Sequence, residues 1–103
     1  MFKNITIFQR PSSDVQWFWE KYRMSLDYAS DESTLIKSDG YIESYLETTI
    51  DNLTATYTTV FSDQASFDQF VSTASAELKK KWEDDRIYSL ANGITITQTR
   101  TTS

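Results

Sequence analysis

The chain has 103 residues, a formal net charge of −5, no cysteine and no histidine. Its length fits a single domain over residues 1–103, and 39% apolar with 15% aromatic residues is enough to bury a core. The missing residue types exclude disulfides, thiolate catalysis and haem ligation by histidine. The negative net charge argues against nucleic acid or an anionic membrane as a partner. No apolar run approaches the roughly 20 residues of a membrane span, and without an export signal we expect a cytoplasmic protein.

The chain begins with a predicted strand and a predicted helix. Lys3 to Gln9 alternates between two sets of side chains, which is the period of a strand. Ser13 and Gln16 fit a capping box that opens a helix. One side of this helix carries an apolar stripe of Val15, Phe18, Trp19, Tyr22, Leu26 and Ala29.

An antiparallel hairpin is predicted in the middle of the chain. Tyr41 to Thr49 and Leu53 to Phe61 are rich in threonine, tyrosine, isoleucine and valine. The short link Ile50-Asp51-Asn52 between them favours a turn.

A second helix and a last strand complete the order of elements. Ser62-Asp63 predicts a helix cap, the apolar arc runs from Phe67 to Trp82, and Asn92-Gly93 predicts the stop. Ile94 to Arg100 alternates as a strand. The order predicts an α+β, ferredoxin-like βαββαβ fold, with a four-stranded antiparallel sheet and two helices on one face.

The two faces of this sheet are predicted to have different neighbours. We expect the helix side to carry Ile5, Ile7, Ile42, Leu46, Ala55, Tyr57, Ile94 and Ile96. The other side would carry Phe8, Tyr41, Tyr45 and Val60 among Thr6, Thr54, Thr56, Thr58, Thr95, Thr97 and Thr99. A solvated face is one interpretation. We favour burial against the sheet of a second copy, which predicts a homodimer through this face.

Two segments resemble a known family. Gly40-Tyr41-Ile42 is a glycine-aromatic start to a strand, and Thr58 to Val71 is a strand that runs into a capped helix. In these features the chain resembles the dimeric α/β-barrel superfamily, which includes antibiotic-biosynthesis-type and haem-degrading monooxygenases. The resemblance implies a homodimeric α/β barrel. For cofactor-free members it also implies oxidation of electron-rich aromatic substrates between helices and sheet.

Residues of the haem chemistry in that superfamily are not matched. Phe70 stands where haem-degrading relatives carry a tryptophan, and Lys80 stands near their iron-ligating histidine. Those relatives also use an asparagine on the first strand, but Asn4 has the opposite parity to Ile5 and Ile7 and is predicted to point away from the helices. We therefore predict no cofactor and no metal, and we assign no catalytic residue.

Two sets of aromatic residues are candidate binding sites. A ligand pocket between sheet and helices would be lined by Trp19, Tyr22, Tyr57, Phe61, Phe70 and Trp82. The alternative is a plain core, because rings at helical spacing belong to a core more often than to a site. On the opposite side of the first helix, Trp17, Met24 and Tyr28 predict an exposed surface for a protein partner. The runs Glu83-Asp84-Asp85 and Lys79-Lys80-Lys81 are interpreted as solvated surface charge.

Two functions from different classes remain. The first is a small homodimeric α/β-barrel protein that binds or oxidises a small aromatic molecule in a monooxygenase-like manner. The alternative is a non-catalytic interaction or accessory factor, such as a viral one, that uses the exposed aromatic stripe of the first helix.

Overall fold

Four strands form one antiparallel sheet in the computed structural model, which describes residues 1–21, 39–74 and 76–102. The elements are β1 (Phe2–Gln9), α1 (Phe18–Lys21), β2 (Tyr41–Thr48), β3 (Thr54–Phe61), α2 (Gln64–Thr73), α3 (Ala76–Ala91) and β4 (Thr95–Thr102). The strand order is β2-β3-β1-β4. This arrangement confirms the predicted α+β, ferredoxin-like fold. Among the described residues, no helix is both long and apolar enough to cross a membrane.

The start of α1 differs from the prediction. The Trp17 carbonyl accepts the backbone N–H groups of Glu20 and Lys21 at 3.1 and 2.9 Å. The Trp17 N–H in turn donates to Glu20 Oε1 at 3.1 Å. This is one of the two reciprocal hydrogen bonds of a capping box. The predicted cap formed by Ser13 and Gln16 was therefore placed four residues too early.

The second predicted helix starts as expected but is divided in two. Asp63 is the N-cap of α2, and its Oδ1 accepts the Ser66 backbone N–H at 2.8 Å. Because this hydrogen bond favours the ionised carboxylate, it lowers the pKa of Asp63. At Ala74 the ψ angle of 141° leaves the helical range, and α3 begins at Ala76. The prediction of one continuous helix was wrong at this point.

The predicted stop of α3 is confirmed. Gly93 has φ +76°, its N–H donates to the Leu90 carbonyl at 3.4 Å, and the Ile94 N–H donates to the Ser89 carbonyl at 2.8 Å. These two bonds form a Schellman motif, which places glycine where the left-handed backbone favours it. The turn leads directly into β4 and buries Ile94.

The predicted hairpin is also confirmed, with a loop at residues 49–53. Asp51 accepts hydrogen bonds from Thr49 Oγ1 at 2.6 Å and from the Leu53 N–H at 3.0 Å, and these bonds lower the pKa of Asp51. Asn52 adopts φ +59°. At the far end of β2 the register shifts between Tyr41 and Glu43, so that Ile42 forms a bulge and is exposed.

The faces of β1 are the reverse of the prediction. Phe2 and Phe8 are buried under the helices, and residues of the same parity share that side. Ile5 and Ile7 therefore lie on the other side of the sheet, paired with Thr58 and Thr56 of β3 and with Thr99 and Thr97 of β4. Thr6 is part of this reversal and lies on the helix side. Two further placements were wrong: Tyr41 lies on the helix side, and Ile42 lies in the bulge. The helix-side placement of Leu46, Ala55, Tyr57, Ile94 and Ile96 is confirmed.

The helix-facing core consists of two separate groups of residues. The tryptophan cluster contains the buried residues Phe8, Trp17, Phe18, Trp19, Ala55, Tyr57 and Ile94. The phenylalanine cluster contains the buried residues Phe2, Phe61, Phe67, Phe70, Ala74 and Leu78. Tyr41 packs against both, and Trp82 packs against the second.

Candidate functional site

The predicted ligand-binding residues are divided between the two clusters. Trp19 and Tyr57 lie in the tryptophan cluster. Phe61 and Phe70 lie in the phenylalanine cluster, with ring centroids 5.4 Å apart, and the Trp82 ring lies 5.9 Å from Phe70. Tyr22 lies outside the described residues. The predicted lining residues are thus divided between two packed clusters.

A row of polar side chains crosses the sheet between the tryptophan cluster and the phenylalanine cluster. Ser44 pairs with Thr59, Thr59 with Asn4, and Asn4 with Arg100, so one residue comes from each of β2, β3, β1 and β4. All four share the parity of the helix-facing rings. On β1 the row falls between Phe2, in the phenylalanine cluster, and Phe8, in the tryptophan cluster. We name Ser44, Thr59, Asn4 and Arg100 the polar row.

Hydrogen bonds and ring contacts fix several members of the polar row. Arg100 Nε donates to Asn4 Oδ1 at 3.3 Å, and the guanidinium carbon lies 5.0 Å from the centre of the Phe67 ring. The Tyr41 hydroxyl donates to Ser44 Oγ at 2.9 Å. Thr59, on the central strand β3, is buried. Arg100 thus links the edge strand β4 to β1 and α2, whereas the bond between Tyr41 and Ser44 lies within β2.

Asn4 is a residue that the sequence analysis missed. It was predicted to point away from the helices because Ile5 and Ile7 were assigned to the helix side. The structure places Asn4 on the helix side with Phe2 and Phe8. The signal that was available is the parity of those two phenylalanines, whose rings each bury more apolar surface than an isoleucine.

Trp17 is buried, so its predicted place on an exposed partner-binding surface was wrong. Only 2% of Trp17 is exposed, and its ring stacks on Trp19 with centroids 5.3 Å apart and an interplanar angle of 11°. Within the ranges that the structure describes, the Trp17 indole Nε1–H has no hydrogen-bond acceptor. The other two residues of that surface, Met24 and Tyr28, lie outside the described residues.

A buried arginine also packs on the Trp17 ring. The Arg10 guanidinium carbon lies 4.6 Å from the ring centre, and its side chain is 4% exposed. Arg10 Nε donates to the Asn52 carbonyl and Nη1 to the Val15 carbonyl, both at 2.8 Å. Glu20 Oε1 lies 3.6 Å from Nη1. Arg10 therefore joins the hairpin loop, the segment before α1 and the tryptophan cluster.

The acidic run of α3 is not uniformly solvated. Arg86 Nη2 pairs with Glu83 Oε1 at 2.5 Å, and Lys80 Nζ pairs with Asp84 Oδ2 at 3.1 Å, both at the exposed surface. Asp85 is buried instead and accepts a hydrogen bond from Ser89 Oγ at 3.1 Å. The prediction of solvated charge was wrong for Asp85.

Solved structures share this arrangement of elements. A candidate antibiotic biosynthesis monooxygenase from Deinococcus radiodurans matches 100% of this chain and 92% of its own, with a TM-score of 0.67 and 10% identity. This chain shares its fold with that protein. A dimeric ferredoxin-like protein from an uncultured marine organism matches over 97% and 92% of the two chains, with a TM-score of 0.62 and 13% identity.

A third similar structure is SnoaB, a cofactor-independent oxygenase from Streptomyces nogalater. It matches 99% of this chain and 91% of its own, with a TM-score of 0.56 and 12% identity. At this level of identity the likeness concerns the fold. No protein-family model matches the sequence, and no curated protein matches it. The resemblance inferred from residues 40–71 is confirmed as a resemblance of fold.

Proposed function

We propose that this chain acts as a homodimer that binds a small, electron-rich aromatic molecule between helices and sheet and oxidises it with molecular oxygen. The observation that carries the proposal is the polar row between the two ring clusters. Small-molecule sites combine apolar and aromatic walls with a few convergent polar groups that fix orientation. The helix-facing layer holds both components side by side.

The polar groups of this layer suit a ligand that carries oxygen atoms. The amide of Asn4 and the hydroxyl of Thr59 can each donate and accept a hydrogen bond. The buried Trp17 Nε1–H has no acceptor among the described residues. An unsatisfied buried donor costs about 1 to 3 kcal/mol, so a ligand oxygen that accepts from Trp17 would recover part of that cost.

The proposed reaction follows from the balance of electrons. Without a cofactor, all four electrons that reduce molecular oxygen come from the substrate. In a phenol with an unsubstituted para position, the para ring C–H and the phenolic O–H give up their two hydrogens, the para carbon becomes a quinone carbonyl with one oxygen atom of molecular oxygen, and the second oxygen atom leaves as water. Such a substrate must give up electrons readily, as phenols and quinols do. The description of SnoaB as a cofactor-independent oxygenase supports this reaction class for the fold.

Fluorescence and oxygen uptake test the proposal together. All three tryptophans of the chain lie in or against the two clusters, so a bound aromatic ligand is expected to quench their emission. We would titrate a panel of quinols and polyketide-like phenols and record oxygen consumption with an electrode. Absence of quenching across the panel would contradict binding, and quenching without oxygen uptake would leave a binding protein without the oxidation.

Asn4→Leu probes the polar row directly. Leucine has nearly the size of asparagine but no amide, so binding is expected to weaken about tenfold. Gln69→Leu is the matched control because Gln69 is an exposed amide on α2. Equal affinities for the two variants would show that the ligand does not contact the polar row.

The sheet face that bears Ile5 and Ile7 supports the homodimer. Both isoleucines are partly exposed there, among threonines from β3 and β4, whereas Val60 and Thr58 of the same face are already buried within one chain. Two such faces can pack about 10 Å apart through apolar and methyl groups. We expect sedimentation equilibrium to give about 24 kDa, twice the chain mass of 12.0 kDa.

Ile5→Glu places a charge at the centre of that face, between Thr58 and Thr99. The variant is expected to sediment as a monomer because an unpaired carboxylate would be buried in the interface. Ile50→Glu is the control, since Ile50 is fully exposed in the hairpin loop. A wild-type monomer at micromolar concentration would overturn the dimer.

A further inference from the structure

The arginines in the described ranges have different kinds of partner. Arg10 Nη1 lies 3.6 Å from Glu20 Oε1, and Arg86 Nη2 pairs with Glu83 Oε1 at 2.5 Å. Arg100 instead donates to the neutral amide of Asn4. Within residues 1–21, 39–74 and 76–102, Arg100 is therefore an arginine without a carboxylate partner, although the chain has 15 acidic and 10 basic residues.

The contacts of Arg100 hold its guanidinium in place but use few of its donors. The guanidinium carbon lies 5.0 Å from the centre of the buried Phe67 ring, on the helix side of the sheet. The Nε–H donates to Asn4 Oδ1 at 3.3 Å. Nη1 and Nη2 carry the remaining four N–H groups, and these have no acceptor in the part of the chain that the structure describes.

The same hydrogen bond fixes the orientation of the Asn4 amide. A guanidinium only donates hydrogen bonds, so the amide oxygen of Asn4 must face Arg100. The NH2 group then lies on the other side of the amide, and it has no acceptor among the described residues. Arg100 and Asn4 therefore offer donors only, from Nη1, Nη2 and Nδ2.

These donors lie at the border of the proposed aromatic site. Asn4 is half-buried on β1, and its neighbour Thr59 on β3 is buried. Arg100 is exposed on the edge strand β4. A ligand whose ring lies in the helix-covered layer would thus meet Arg100 at the edge of the sheet, where the guanidinium is open to solvent.

We propose that Arg100 and Asn4 form a carboxylate subsite, so that the ligand of this chain is an aromatic acid. The inference rests on the proposed function and names a substituent of its ligand. The guanidinium presents its N–H groups in a planar fork that matches the two oxygens of a carboxylate. Because the net charge of −5 repels anions in general, the attraction must come from these local donors.

Two ligands that differ in charge at one group test the subsite. The ligand 6-hydroxy-2-naphthoate carries a carboxylate, and 6-hydroxy-2-naphthamide carries a neutral amide of similar shape. In isothermal titration calorimetry of the full chain, we expect the wild type to bind the naphthoate about tenfold more tightly than the naphthamide. Arg100→Gln is expected to lower this ratio to about twofold or less, because glutamine can still contact Asn4 but has no positive charge.

Arg86→Gln is the matched control. It changes the net charge by the same amount, but Arg86 lies at the exposed surface of α3, paired with Glu83. We expect its ratio to equal that of the wild type. Equal reductions of the ratio in Arg86→Gln and Arg100→Gln would indicate a general effect of charge and overturn the subsite.

Arg100→Lys separates the charge from the fork. Lysine keeps the positive charge but has no planar pair of donors, so a ratio of about threefold is expected. Circular dichroism checks the fold of each variant. If Arg100→Gln does not fold, the wild-type ratio decides, since a ratio near one overturns the inference.

The ratio distinguishes recognition from a structural role. If Arg100 only supported Phe67 and Asn4, Arg100→Gln would weaken the binding of both ligands equally and leave the ratio unchanged, which would overturn the inference. Equal binding of both ligands by the wild type would also overturn the subsite, and the proposed aromatic site would remain. Failure of both ligands to bind the wild type would remove the proposed function as well.

Discussion

The two ring clusters under the helices are built from different kinds of aromatic residue. The buried rings of the phenylalanine cluster are all phenylalanines, which carry no polar atom. The tryptophan cluster contains Trp17, Trp19 and Tyr57, whose N–H and O–H groups need hydrogen bonds when buried. The first cluster can be stabilised by ring packing alone, whereas the second also needs polar contacts.

The difference indicates separate roles for the two ends of the molecule. Phe61 contacts Phe67, Phe70 and Tyr41 at centroid distances of 5.4–5.6 Å, as expected for a close-packed apolar core. Arg10, in contrast, stabilises the tryptophan end through directed hydrogen bonds to backbone carbonyls. We therefore expect substitutions in the phenylalanine cluster to lower stability mainly by creating cavities. Substitutions around the tryptophan cluster are expected to lower it mainly by removing polar contacts.

The largest expected effect is that of Phe61→Ala. Phe61 is 0% exposed, and its truncation leaves a cavity among three neighbouring rings. The free energy of unfolding is expected to fall by about 3 to 5 kcal/mol, measured by urea denaturation. Ile50→Ala is the control and is expected to change it by less than about 0.5 kcal/mol, because Ile50 is fully exposed. Similar values for both variants would mean that the phenylalanine cluster is not a packed core.

Gly40→Ala, beside the phenylalanine cluster, and Gly93→Ala, beside the tryptophan cluster, form a matched pair of variants. Gly40 has φ +88°, and a Cβ there would lie 2.4 Å from Ser66 Oγ and 2.7 Å from Ser66 Cβ. Gly40→Ala is expected to cost about 2 to 4 kcal/mol from backbone strain and overlap. Gly93 has φ +76° but its Cβ would meet Pro11 Cγ at 3.6 Å, an ordinary contact, so Gly93→Ala is expected to cost only about 1 to 2 kcal/mol. Thermal denaturation of both variants would rank their losses of stability. A larger loss for Gly93→Ala than for Gly40→Ala would contradict the prediction.

Arg10→Met tests the polar contacts of the tryptophan end. Methionine keeps part of the packing on Trp17 but leaves the carbonyls of Asn52 and Val15 without their donors. We expect a loss of about 2 to 3 kcal/mol and a weaker near-ultraviolet circular dichroism signal from the stacked Trp17 and Trp19 rings. Glu20→Gln should cost less than about 1 kcal/mol, because Glu20 is partly exposed. A larger loss of stability for Glu20→Gln than for Arg10→Met would show that the hydrogen bonds of Arg10 are not the main polar contacts of this cluster.

The smallest effect concerns the cap of α2, at the phenylalanine end. The folded-state pKa of Asp63 is lowered, so its contribution to stability is complete above the ordinary pKa of 3.8. That contribution is lost as the pH falls from there through the lowered value. Asp63→Asn carries no titrating group and should remove this part of the pH dependence of the melting temperature between about pH 2 and 5. Identical pH profiles for wild type and variant would show that the carboxylate is not the cap in solution.

Local signals predicted most of the fold. The cap at Asp63, the stop at Gly93 and the hairpin around Asp51 depend on hydrogen bonds between residues close in sequence, and the structure confirms each of them. The candidate site was predicted less well. Its rings were found by their size, but the polar row joins residues as distant as Asn4 and Arg100, and only strand register brings them together.

The sequence alone determined the order of strands and helices, because periodicity, caps and turn residues act over a few neighbouring positions. Only the tertiary structure decided which side of β1 meets the helices, since Phe2 and Phe8 on one side and Ile5 and Ile7 on the other are both apolar. Alternation shows which residues share a face, but what covers that face depends on packing against distant elements. The same holds for Trp17 and Asp85, whose burial depends on contacts that no local pattern records.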